Sequence, residues 1–136
     1  MSELLKKSKE NIDAADLLIA SRKYAPSVHC SYYSLLQKGQ QIVLSLTGKT
    51  LGELVNGNRN EKKPVSSHSA LRHELLMLVR TKLKSNREVE SFNKSFNILK
   101  KQRENADYSE EVITEDMAKN ALRDTKELNS TLSKLG

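Results

Sequence analysis

Apolar residues recur at three- and four-residue steps along most of this chain, and almost nothing interrupts them. That spacing is the signature of amphipathic helices, because an α-helix repeats every 3.6 residues. Leu4, Leu5, Ser8, Ile12, Ala15, Leu18 and Ile19 form one stripe of a helix over about 2–21. Only five glycines and two prolines punctuate the 136 residues. Sheets of short strands need far more frequent turns.

The same reading places a second helix over about 26–46, with Pro26 in its first turn, where a missing N–H costs nothing. Val28, Tyr32, Leu35, Leu36, Gly39, Ile42, Val43 and Leu46 make its buried side. Ser27, Ser31 and Ser34 are small enough to let a neighbouring helix approach closely, and Gly48 ends the helix. Between Thr47 and Ser67 the periodicity fails in a polar, basic run, with Leu51, Leu54 and Val55 forming one short helical turn. A third helix starts at a Ser66 or Ser67 cap and runs to about 84, carrying Leu71, Leu75, Leu76, Leu78, Val79 and Leu83. A fourth spans about 87–106, with Val89, Phe92, Phe96, Ile98 and Leu99, followed by a loop over 107–113. Thr114 caps the last helix, whose first turn holds Glu115 and Asp116 against the positive end of its dipole. The expected fold is all-α: a single domain over 1–136, an antiparallel up-and-down bundle of four or five helices.

Composition narrows the function classes. The net charge is +6, with 23 basic residues interspersed among 17 acidic ones, which raises the prospect of a polyanionic ligand. A lone cysteine, Cys30, permits no internal disulfide and fits a reducing compartment. No stretch approaches the roughly 20 apolar residues of a membrane span. The opening run MSELLKKSKENIDAADLL has no apolar core of signal-peptide type. A cytoplasmic protein without membrane contact is expected.

Few motifs carry chemistry. Gly48-Lys49-Thr50 has the tail of a phosphate-binding loop, but Val43 stands where the first glycine belongs and a helix precedes it. His68 and His73 are five apart and do not stack on one helical face, so no metal is expected, and no cofactor motif is present. His29 beside Cys30 reads as a half-buried structural pair, since no third group stands at a telling position. Tyr32 and Tyr33 point about 100° apart on a helix, so one packs inside and the other reaches a groove or a partner. Arg103 and Asp107 are four apart at a helix end, with Tyr108 directly after: a cation, a carboxylate and a phenol able to orient a phosphate.

Taken in order, these elements form a longer pattern. Tyr24-Ala25-Pro26-Ser27-Val28-His29 leads through Ser31 to Tyr32-Tyr33. Ser67-His68-Ser69 opens a helix, Arg103-x-x-Ala106-Asp107-Tyr108 closes one, and Thr114-Glu115-Asp116-x-Ala118 opens the last. The pattern spans nearly the whole chain and resembles the HEPN family (higher eukaryotes and prokaryotes nucleotide-binding domain), in particular its small stand-alone prokaryotic members. The resemblance implies an up-and-down helical bundle, usually a homodimer, often beside a minimal nucleotidyltransferase in toxin–antitoxin or defence modules. Some members are metal-independent ribonucleases in which an arginine, four to six variable residues and a histidine meet across the dimer. Here Tyr108 stands where that histidine would be, and no histidine follows His73. A phenol with a pKa of about 10 is a poor general base at neutral pH.

The leading expectation is therefore a nucleotide- or RNA-binding or regulatory module with a degenerate nuclease site. Arg103 would contact phosphate, Asp107 would orient it, and Tyr108 would stack or hydrogen-bond. Tyr32, Tyr33, His68 and Lys100 would complete the ligand site. Lys101, Arg59, Lys62 and Lys63 would add salt-sensitive attraction. The alternative is an active metal-independent endoribonuclease using Arg103 with Asp107 and Tyr108, and with His68 brought in from the third helix.

Overall fold

Hydroxyl side chains at Ser2, Ser66, Ser85 and Thr114 each accept a backbone N–H from the first turn of the helix that follows. They satisfy donors that a helix start leaves unpaired. The computed structural model describes residues 2–56 and 66–136. Its helices are α1 (Glu3–Ala20), α2 (Tyr24–Thr47), α3 (Leu51–Asn56), α4 (Ser67–Leu83), α5 (Asn86–Tyr108) and α6 (Glu115–Ser133), with no strand among the described residues. The protein is thus an all-α bundle of five long helices, with the short α3 where Leu51, Leu54 and Val55 mark one turn. No described helix is long and apolar enough to cross a membrane. Arg59, Lys62 and Lys63 lie outside the described residues.

Helix α2 is the hub, touching α1, α4, α5 and α6. Its small residues decide how close those neighbours come. The Ser8 hydroxyl donates to the Ser34 carbonyl, and the Ser34 hydroxyl donates back to the Ser8 carbonyl, both at 2.8 Å. Ser27 Oγ donates to the Ala15 carbonyl at 3.0 Å, and Thr125 Oγ1 of α6 donates to the Ser31 carbonyl at 3.1 Å. Larger side chains at Ser27, Ser31 and Ser34 would hold α1 and α6 off. On another side of α2, Gly39 lies under α4: a Cβ there would stand 2.7 Å from Leu75 Cδ1.

The core is filled by Tyr32, Phe96, Leu35, Leu71, Leu75, Leu99 and Leu132, all fully buried. Two expectations are corrected. Ile98 is exposed, because the stripe of α5 runs through Val89, Phe92, Phe96, Leu99 and Arg103 and leaves Ile98 outside it. The loop expected from Asp107 begins two residues later, since α5 continues through Tyr108. An aspartate in a last helical turn is ordinarily unfavourable against the dipole. Here Arg103 and His29 both hold the Asp107 carboxylate and keep the turn wound.

Gly39→Ala would gain about 1 kcal/mol of helix propensity and lose roughly 1–3 kcal/mol to overpacking against the fully buried Leu75. We expect a net destabilisation of about 1 kcal/mol by urea unfolding; an increase in stability would show that α4 can move away.

Candidate functional site

On α2, His29, Tyr32 and Tyr33 occupy positions i, i+3 and i+4, so their rings share one face. That face meets the last turns of α5, which bring Arg103, Asp107 and Tyr108, and the first turn of α4, which brings His68. The Arg103 guanidinium carbon lies 5.0 Å from the Tyr32 ring centre, 6.0 Å from Tyr33 and 5.7 Å from Tyr108. Arg103 is only 7% exposed, yet its Nε has no hydrogen-bond partner. Its Nη1 lies 3.6 Å from Asp107 Oδ2. Burial works against the guanidinium charge. Tyr33, Tyr32, Asp107 and Tyr108 more than restore it, so the pKa of Arg103 lies above the usual arginine value.

Asp107 Oδ2 has a second, closer partner: His29 Nδ1 at 2.8 Å. The His29 ring stacks on Tyr33 at 4.5 Å between centroids. With Nδ1–H donating to the carboxylate, Nε2 is left as the free nitrogen, the orientation that a carboxylate imposes on a working imidazole. On the other side, Tyr32 Oη and His68 Nδ1 are 3.1 Å apart. Burial pushes the Tyr32 phenol up to about 12, with Arg103 offsetting part of the rise. The His68 pKa is lowered by burial and then by the charges of Arg103 and Lys100, so the ring is neutral at pH 7. We assign the phenol as donor and His68 Nδ1 as acceptor, which puts the imidazole hydrogen on Nε2.

The expected residues therefore separate into groups. Tyr32, Tyr33, His68, Arg103 and Asp107 converge. Lys100 is half-buried one turn before Arg103 and acts on His68 through its charge. Tyr108 is 79% exposed and covers Arg103 from the solvent side. His29 is the correction: its partner is Asp107, 78 residues away, and not Cys30. Its i, i+3, i+4 spacing with the two tyrosines is the sequence signal that marks it. Burial, and then Asp107, raise the Cys30 pKa, which keeps the thiol protonated and a weak nucleophile. Among the described residues, no group of three or more His, Cys, Asp or Glu is placed to hold a metal ion.

The site thus offers a nearly buried cation, an imidazole oriented by a carboxylate, a neutral imidazole, and aromatic faces. An anion approaching Arg103 would meet charge-assisted donors in a partly dry setting. No protein-family model matches this chain, and no curated protein matches it.

Below pH 6.5, the ordinary value for His68, the unfolded chain binds a proton there that the folded chain resists. Stability should accordingly fall as pH drops from 6.5 toward the depressed folded value. In an NMR titration His68 should protonate below 6.5, and Arg103→Met should move that midpoint upward. An unmoved midpoint would mean that the Arg103 charge does not reach the ring. Tyr32→Phe should cost about 1–2 kcal/mol in urea unfolding, because it leaves His68 Nδ1 without its partner.

Proposed function

We propose that this chain is a HEPN-like nucleotide- or RNA-binding module in which Arg103 holds a phosphate. One observation carries the reading. Arg103 is a nearly buried cation ringed by Tyr32, Tyr33 and Tyr108, and Asp107, its carboxylate neighbour among the described residues, lies closer to His29 than to Arg103. A buried cation whose carboxylate is shared with a second partner keeps attraction to spare for an anion. Tyr108 and Tyr33 supply the faces on which a base or ribose can rest, and Lys100 adds charge beside them. The module acts as a homodimer with the Arg103 corner in a shared groove. It regulates or partners a minimal nucleotidyltransferase in a toxin–antitoxin or defence setting, with no metal or cofactor of its own. The resemblance to HEPN chains supports these last roles.

The His29–Asp107 contact favours a second reading, a metal-independent endoribonuclease. Sequence order puts Tyr108 where an imidazole is needed, and His29 supplies one from α2. His29 Nε2 would accept the proton of an RNA 2′-hydroxyl, and the 2′-oxygen would form a bond to phosphorus. The 5′-oxygen would leave with a proton from water, and Arg103 would carry the charge gathering on the phosphate.

Binding and cleavage assays separate the readings. For the module, we expect no RNA cleavage, and Arg103→Ala should weaken RNA binding about tenfold or more, with the salt slope reduced by about one. Equal binding by wild type and Arg103→Ala would remove the role given to Arg103. Chelator-resistant cleavage lost in both Arg103→Ala and His29→Ala would establish the nuclease instead. Light scattering should give a dimer mass at micromolar concentration; a clean monomer would rule out the shared groove.

A further inference from the structure

Lined in part by the Tyr33 and His68 rings, a cavity of about 280 Å³ lies between α1, α2, α3 and α4. Tyr33, Gln37, Gln40, Leu51, His68 and Leu71 are among its lining residues. We infer that this cavity takes the base of a nucleotide whose phosphate sits at Arg103, an inference that rests on the phosphate role proposed above.

Size, polarity and position each bear on the choice of ligand. The volume falls just below the range of small-molecule pockets, roughly 300–1,000 Å³, and suits one ring system rather than a dinucleotide. Among the described residues the lining contains no carboxylate, and its cation is Lys7 at the exposed edge, so a cationic ligand or a second phosphate is poorly matched. An alkyl chain would strand two glutamine amides. A flat heteroaromatic ring with donors and acceptors along its edge uses what is there. It has aromatic rings to lie against: Tyr33 and His68 stand perpendicular at 6.0 Å between centroids. It has apolar walls in Leu51 and Leu71, and it has amides for its polar edge. Asn11 Nδ2 donates to Gln37 Oε1 at 2.8 Å, which fixes that amide and leaves its NH₂ group to donate. Glutamine amides and aromatic faces are the groups by which proteins read unstacked bases.

The position closes the argument. Tyr33 is a wall of the cavity and also lies 6.0 Å from the Arg103 guanidinium carbon. Tyr33 is therefore common to the cavity and to the surroundings of Arg103, so the ribose of the bound nucleotide would pass around the edge of this ring. The burial-lowered pKa of His68 keeps that ring uncharged against a neutral base.

Calorimetry with the full chain tests this, using AMP, GMP, CMP, UMP, ribose 5-phosphate and a short single-stranded oligoribonucleotide. At least one mononucleotide should bind about tenfold or more tighter than ribose 5-phosphate, the increment expected of one well-stacked base. Leu51→Trp, which fills the cavity, should reduce that nucleotide to the affinity of ribose 5-phosphate, and Gln40→Leu should reduce its advantage in the same direction. An oligoribonucleotide that binds tighter than any mononucleotide and is weakened by Leu51→Trp would identify RNA as the source of the base; one that binds no tighter would identify a free nucleotide. Mononucleotides no better than ribose 5-phosphate, or a preference untouched by both substitutions, would overturn the base pocket while leaving the phosphate role of Arg103 standing. If none of these ligands bound, both would fall.

Discussion

A guanidinium almost sealed from water at the end of α5 has to be compensated, because an isolated buried charge costs far more than a bundle of this size can spare. Arg103 is compensated by aromatic faces and by one carboxylate. Each compensating group sits on a defined helix, so the requirement sets geometry. Tyr32 is shared between two tasks: its ring belongs to the core, and the same ring faces the cation. Its hydroxyl then reaches His68 and ties down the start of α4. Asp107 draws His29 and the last turn of α5 together. Three helices meet at this corner around one charge.

The rest of the bundle makes that corner possible by bringing backbones close around α2. Reciprocal serine bonds let α1 lie against α2, and Gly39 does the same for α4. Those contacts leave the His29, Tyr32 and Tyr33 face of α2 for α5 and the start of α4. The polar residues of α2 are thus divided between two duties. Serines facing α1 and α6 serve packing, and rings facing α5 serve the site. Three tyrosine rings around Arg103, and a carboxylate shared with His29, separate this corner from a simple arginine–carboxylate pair.

Much of the fold is legible in the sequence. The stripes of α1, α2 and α4 follow from spacing and the Thr114 cap from residue type, while the choice of Ser66 over Ser67 as the cap of α4 came from the structure. Where the reading failed, a distant partner intervened. Asp107 and Tyr108 look like residues that end a helix, and by local propensity they are; the pairing of Asp107 with His29 and Arg103 keeps them helical. Ile98 looks like a core residue because it is apolar, but the stripe of α5 turns toward the charged corner and passes it by.

The candidate site divides the same way. Arg103, Asp107 and Tyr108 are visible in sequence because they lie within two helical turns, where spacing translates directly into proximity. Tyr32 and Tyr33 are visible as a pair of which one must face outward. The spacing of His29 puts it on the tyrosine face, but its role is not legible, because that depends on a carboxylate 78 residues away. By itself the sequence determined the helices, their apolar faces and the all-α class, since these follow from a short-range repeat. Only the tertiary structure decided which rings surround Arg103, which imidazole Asp107 orients and where a cavity opens beside them, because long-range contacts are settled by how close the helices can pack.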